Sequence, residues 1–417
     1  MINSGDTAWV LTSSALVFIM VPGLAFFYSG LVRSKNAIGT LMHSFFALAI
    51  LGMVWILWGY SLAFGPDVGL GFIGNLKFFG LNNVSAIDAG PYAATISHQT
   101  FMIFQAKFAI ITPALIAGAF AERIKFSAFV IFLVLWSTIV YTPLAHWVWS
   151  TNGWLGLGGW GALDFAGGAV VHISSGVAAL AAALVFGRRL GFGTTRMEPH
   201  NIPFVVLGAS LLWFGWFGFN AGSSLSAAGQ AVSAFVVTHI SASMAAVTWV
   251  GIDWFINKRV SVVGAATGAV AGLATITPAA GFVGPMPAVV IGLAAGSVCY
   301  MAIQLKNRMR LDDSLDVWAI HGVGGTIGML AVGLFAGVGF LTLSDFALAD
   351  VSRGGQILRQ VGAIGAVSGW AFVMTLVILY AIKKTIGLRV TEDDEEIGLD
   401  LSQHGESIEN PAASLAS

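Results

Sequence analysis

Charge is what this sequence has least of. Asp, Glu, Lys and Arg make up 9% of its 417 residues, against roughly a quarter in soluble domains. No soluble fold of this size keeps its surface hydrated with so few. Cysteine is nearly absent as well: Cys299 stands alone, which excludes an internal disulfide framework. Net charge is −1, so there is neither a basic field for nucleic acid nor an acidic one for a basic partner, and no nucleic-acid partner is expected. The N-terminus lacks the basic n-region of a cleaved signal peptide, so the apolar stretch 7–32 reads as a retained first span.

What the sequence does have is apolar length. Hydrophobic residues make up 57% of the chain and glycine contributes 52 positions, a composition suited to close helix–helix approach in lipid. A bilayer-crossing helix needs ~20 mostly apolar residues. Uncharged stretches of that length run over 7–32, 36–66, 126–163, 165–187, 199–252, 260–305, 317–344 and 360–382. Two are of double length, broken by Ser, Gly and Pro at 223–230 and 284–287. The stretch 98–121, interrupted by Lys107, adds one more. The expectation is an all-α polytopic membrane protein with eleven transmembrane helices over residues 1–386, lipid around it, and termini on opposite sides.

Lys and Arg give the orientation, since they gather on the cytoplasmic side. With the N-terminus outside, fifteen of them fall in inside segments, around positions 33–35, 123–125, 188–196, 258–259, 306–310 and 383–389. Lys77, Arg353 and Arg359 fall in outside loops and Lys107 within a span. Traces of a repeat accompany this. Ile111-Thr112-Pro113-Ala114 in the third span recurs as Ile276-Thr277-Pro278-Ala279 in the eighth. Asp164 precedes the fifth span, which contains His172, and Asp316 precedes the tenth, which contains His321. Five spans is an odd step, so the second copy is inverted relative to the first, a common transporter plan with the site between the halves. Residues 387–417 are too polar to embed and form a cytosolic tail, expected to be ordered near 387–401 and loose beyond Asn410. A merely solubilising acidic tail is the alternative.

His172 and His321 are the first candidates for chemistry, because an ionisable group inside a span is expensive unless paired or facing a cavity. Two neutral imidazoles can satisfy each other and pass a proton. The alternatives are two separately satisfied core histidines, or axial ligands of a haem, for which nothing beside either residue argues. His43, His98, His146, His200, His239 and His404 lie at span ends, in loops or without a partner. Aromatics form the second group. Phe104 and Phe108 share a helix face. Trp147 and Trp149 close the fourth span, and Trp147 reads as an interfacial belt residue. At the outer mouth, a Trp149 indole face with the Ser223 hydroxyl would make a cation site. Asp164 either caps the fifth helix or places negative charge near that mouth.

Several stretches match a known family: Phe26-Phe27-Tyr28-Ser29-Gly30-Leu31, Ala121-Glu122-Arg123, Asp164-Phe165-Ala166-Gly167-Gly168 leading to His172, Gly215-Trp216-Phe217-Gly218-Phe219-Asn220-Ala221-Gly222-Ser223, and His321-Gly322. Gly387-Leu388-Arg389 and Gly398-Leu399-Asp400 in the tail fit too. From the first span to about Glu406 the chain resembles the ammonium transporters of bacteria, archaea and plants, with Rhesus proteins as distant relatives. The resemblance implies two inverted five-helix repeats plus a last helix, one pore per subunit, a homotrimer, and transport of ammonium or ammonia without covalent reaction, cofactor or metal. It implies recruitment at Trp149, Ser223 and Phe108 with Asp164 in support, and a gate of Phe108 and Phe219. It also implies a pore lined by Phe27, Phe104, Trp216, His172 and His321, and a regulatory tail able to meet P-II-type nitrogen signal proteins. An ammonium sensor with little flux and a Rhesus-type gas channel are the alternatives. Lys107 departs from the family, where that position is usually uncharged. Facing the vestibule it would modulate the pore by repelling the cation; otherwise it snorkels or points to a subunit interface.

The charge bias places 392–396 inside. Thiol or protease labelling of that segment in right-side-out vesicles is expected only after permeabilisation, and labelling without it would overturn the orientation.

Overall fold

Inside a bilayer, backbone N–H and C=O groups must be satisfied within their own segment unless a barrel closes, so apolar runs of this length fold as helices. The computed structural model describes residues 1–339 and 351–408. Among them, ten helices are long and apolar enough to cross a membrane and an eleventh is shorter. In chain order they are α1 (Ser4–Leu31), α2 (Ser34–Phe64), α3 (His98–Phe120), α4 (Phe126–Trp149), α5 (Gly168–Phe186), α6 (Ile202–Gly222), α7 (Gly229–Asn257), α8 (Val262–Ile276), α9 (Pro285–Arg308), α10 (Trp318–Phe335) and α11 (Arg353–Thr385). A hairpin of β1 (Ala89–Gly90) and β2 (Ala93–Ser97) precedes α3, and α12 (Glu392–Ile397) lies in the tail.

The helix count agrees with the expectation, and the differences are at boundaries. The uncharged stretch 126–163 is helical only as far as Trp149, the residue expected to close the fourth span, and the rest forms a loop before α5. α8 ends at Ile276, so Thr277-Pro278 begins a run of turns, whereas Thr112-Pro113 sits inside α3. α11 starts at Arg353, so Arg353 and Arg359, expected in a loop, occupy its first two turns. Residues 340–344 of the expected tenth span and the tail beyond Asn410 lie outside the described residues.

Small residues set the packing. α1 lies along α6, where a Cβ on Gly208 would overlap the backbone of Phe27 and one on Gly218 would press on that of Ser13. α5 crosses α10 still more closely: a Cβ on Gly176 would overlap the backbone of Gly322. Both crossing helices open on a π-helical turn, Gly168–Ile173 and Trp318–Val323, and each turn carries a histidine. Eight residues before each histidine is a buried aspartate. Asp164 accepts from the N–H groups of Gly167, Gly168, Ala169 and Val170 at 2.6–3.2 Å. Asp313 accepts from that of Trp318 at 2.7 Å. Asp316, the sequence-based counterpart of Asp164, instead pairs with Lys306 at 2.5 Å. Asp313 is therefore the true repeat partner, and burial pushes its carboxyl up to about 6.

The segments expected inside meet at one end of the bundle. Buried Glu122 holds the Arg33 backbone N–H and guanidinium at 2.6–2.9 Å and Arg189 at 3.3 Å. Burial raises the Glu122 carboxyl, but Arg189 and Arg33 outweigh that and hold it below the ordinary glutamate value. Arg189 also grips Asp312 at 2.9 Å, and Arg123 donates to the carbonyls of Ala119, Ala121 and Asp312. The tail closes over this network. Arg389 pairs with buried Glu395, Lys35 donates to the carbonyls of Glu395 and Glu396, and Asp400 accepts from the N–H groups of Ile38 and Gly39. The other end, termed outer after the orientation that the charge bias predicts, carries the N-terminus against β2 through Asn3 and Thr95.

Arg189→Met leaves two buried carboxylates short of a partner, a loss of about 3–5 kcal/mol when a buried pair is broken. A marked fall in the detergent thermal-unfolding temperature is expected. Parental melting would show that the loops cohere without this network.

Candidate functional site

At the outer end, α3, α4, α6 and the loop before α5 enclose a vestibule lined by Tyr92, Phe101, Gln105, Phe108, Trp149, Phe165, Ser223 and Leu225. Trp149 donates its indole N–H to the Asp164 carbonyl at 3.0 Å, which fixes the ring by its edge. Ser223 donates its hydroxyl hydrogen to the Phe219 carbonyl at 2.8 Å, so toward the vestibule its oxygen can only accept. An aromatic face beside such an oxygen suits a cation that carries N–H donors.

The floor of the vestibule is closed. Phe108 meets Phe219 with ring centroids 4.4 Å apart, and Trp149 stands edge-on to Phe108 at 5.9 Å. Beneath the floor runs a narrow cavity of about 80 Å³, walled by Phe27, Tyr28, Ile111, Leu115, Trp216 and Phe219 among others. It reaches Leu31, Leu315 and Asp316 toward the inner end. Trp216 is steered by its own N–H, which bonds the Thr277 hydroxyl at 2.9 Å. His172 stacks between Trp216 at 5.5 Å and His321 at 5.2 Å.

The decisive distance is between the two histidines: His172 Nδ1 to His321 Nδ1 is 3.2 Å. At that separation one Nδ1 carries the hydrogen and the other accepts it, so the rings hold complementary tautomers. The histidines are thus a bonded pair, and two nitrogens this close cannot ligate opposite faces of a haem iron. The Nε2 of His172 is buried with no hydrogen-bond partner.

Residues 8–409 match the Ammonium Transporter Family. The chain belongs to that family. It is 48% identical to the ammonium transporter of Bacillus subtilis over 96% of this chain and 98% of that one. It superposes on the crystal structure of Saccharomyces cerevisiae Mep2 with TM-score 0.85 at 37% identity, covering 94% and 91% of the two chains. A structure titled Sensor Amt Protein superposes with TM-score 0.87 at 31% identity, covering 96% and 98%.

For this ammonium transporter family member, the sequence-based site residues fall into two groups. Trp149, Ser223 and Phe108 meet in the vestibule, Phe108 and Phe219 form its floor, and Phe27, Trp216, His172 and His321 line the cavity. Phe104 differs from expectation, whereas the cap reading of Asp164 and the reading of Lys107 away from the vestibule were both among the alternatives. Phe104 lines neither cavity; it packs behind Phe108 at 5.0 Å, where a Cβ on Gly222 would touch it. The Asp164 carboxylate is buried and committed to its helix, so it supports the site by capping α5 and offers no open charge to the mouth. Lys107 points to α1, its Nζ 5.5 Å from the ring centroid of Phe18, outside both cavities. Trp147 is no belt residue either: it is buried among Phe72, Trp154 and Trp370. His146, set aside as a span-end residue, is buried between the Ala63 carbonyl at 2.8 Å and Asp67 at 3.1 Å.

Tyr28, Gln105, Thr277 and Asp313 were missed as site residues. The recoverable signal was the stripe Phe101, Gln105, Phe108, Leu115 along α3, whose spacings of four, three and seven keep one face. Lys107 lies off that stripe. Lys107→Met is expected to leave half-saturation by ammonium within about twofold of the parent in a current assay. A larger change would bring its ammonium group within reach of the vestibule.

Proposed function

We propose that this chain carries ammonium across the cell membrane, N-terminus outside and tail in the cytosol, through the conduit between Trp149 and Asp316. The His172–His321 contact carries the reading, because it joins the two inverted halves by a bond that can pass a proton. Bare ammonium in a cavity with these walls would pay a large desolvation penalty. The vestibule offsets part of it through the Trp149 face, worth about 0.5–2 kcal/mol, and the Ser223 oxygen. Movement of Phe108 and Phe219 then admits ammonia to the cavity, and the proton crosses over the paired imidazoles. Potassium has no N–H to donate and no proton to release, so selectivity rests on hydrogen bonding and deprotonation more than on size.

Three subunits, each with its own pore, complete the assembly, and the mass of the cross-linked particle in native membranes tests that number. Residues 387–408, fastened across the inner loops, form the surface that a P-II-type signal protein would read. A sensor uses the same scaffold, as the structure titled Sensor Amt Protein indicates, but identity is higher to the Bacillus subtilis transporter. Ammonium-evoked current in reconstituted liposomes separates the two.

His172→Ala and His321→Ala each remove one relay partner and leave the other ring unsatisfied in a dry cavity. Lost flux or lost ammonium-over-potassium preference is expected in protein that still assembles. Parental flux and preference in both variants would refute the relay.

A further inference from the structure

Among the described residues, two basic side chains leave the middle of a span on its outward side, and neither belongs to the conduit. Lys107 is half-buried on α3, its Nζ 5.5 Å from the ring centroid of Phe18, which is itself exposed on α1. His239 is exposed on α7, beside the rings of Trp213 and Phe217 of α6 at 5.6 and 6.4 Å. Neither has a hydrogen-bond or ion-pair partner among the described residues. Unpaired groups of this kind are expensive against lipid, and acyl chains satisfy neither.

The two groups complement each other. A lysine ammonium carries three N–H donors and accepts nothing, while a neutral imidazole keeps one nitrogen as an acceptor. Their depths match as well. α3 enters from the outer end at His98 and α7 at Gly229. At 1.5 Å per residue, Lys107 therefore lies ~13 Å and His239 ~15 Å below that end. Both are close to the midplane of a core ~30 Å thick, where snorkelling to the headgroups is longest. Within one subunit they stay apart. Between two copies they can meet, because rotation about an axis along the membrane normal preserves depth. A patch around one residue meeting a different patch around the other is a heterologous contact, and such contacts close into rings. Exposed apolar side chains flank each residue, Leu11 and Phe18 on one face, Val232 and Phe235 on the other.

We propose that Lys107 of one subunit donates a hydrogen bond to the His239 ring of the next, joining the α1–α3 face of one copy to the α6–α7 face of its neighbour. The assignment rests on the three-subunit reading and names a contact within it.

The test uses the full-length chain in native membranes. With p-benzoylphenylalanine in place of His239, illumination is expected to link each copy to its neighbour around Phe18 and Lys107, as mapped by peptide mass. Should that variant fail to assemble, the same probe replaces Phe235, one turn away on the same exposed face. A link to lipid alone, or to the α6–α7 face of a second copy, overturns the contact. The mass of the native particle is read separately. Three copies linked elsewhere would sink the contact alone, whereas two copies linked at these residues would keep it and sink the three-subunit reading. A double-mutant cycle then tests the bond itself. Lys107→Met and His239→Leu are each expected to lower the temperature at which the assembly dissociates in detergent, and the double variant to fall no further than the weaker single one. Additive shifts, or no shift in either variant, would show that the two side chains do not bond to each other and would overturn the assignment.

Discussion

Two imidazoles, one from each half of the chain, touch through their Nδ1 atoms at 3.2 Å, and little else in the conduit would hold its place without the crossing that allows it. α5 and α10 come together backbone on backbone at Gly176 and Gly322, and a Cβ on Gly325 would press on the Gly168 carbonyl and on His172. In lipid no apolar driving force separates helix–helix from helix–tail contact, so intimate packing between small residues has to supply it. Glycine at these positions is the condition for bringing two polar rings within bonding distance in an otherwise apolar interior.

Depth is set by the second device, the pair of aspartate caps. Asp164 and Asp313 each open a π turn eight residues ahead of a histidine, one from the outer end and one from the inner. Equal spacing from opposite ends brings both rings to the same level, as two arms of equal length would. The same economy recurs around the site. Trp149, Ser223 and Trp216 are each held by their own hydrogen, which leaves only π faces and lone pairs turned toward the path. A conduit for a cation that is all donors gains from walls whose donors are already engaged.

Hydropathy and length made the eleven helices readable, because the bilayer imposes both. Their ends were less so. Arg353 and Arg359 looked like loop residues because charge inside a span is rare, yet the first turns of α11 stand at the outer end where charge is tolerated. Phe108, Phe219, His172 and His321 were legible as residues through motifs, and the pairing of His172 with His321 was one of the readings left open; 149 positions separate the two, and the tertiary crossing is what brings them together. Phe104 shows a different failure. Helical spacing tells which residues share a face but not which way the face points. Here the neighbours α1 and α6 take Phe104 and Lys107, leaving Gln105 for the vestibule. Asp313 was hidden by Asp316, a second acid three positions on whose own partner is Lys306.

A bond between two Nδ1 atoms would also give the proposed relay a memory. When a proton reaches the outward Nε2 of one ring and another leaves the Nε2 of its partner, the shared hydrogen has changed owner, and both rings are left in the opposite tautomer from the one they started in. The pair is then set against a second passage in the same direction. Rotation of a ring would reset it, but His172 is clasped between Trp216 and His321, so turning over means parting the stack. Without a turned ring, the shared hydrogen returns only if a proton also leaves the Nε2 of the first ring and another comes back to the Nε2 of the second, which is a passage in the reverse direction. Were protons to cross here as proposed, consecutive crossings would not be independent events: each would find the switch in the position the previous one left it.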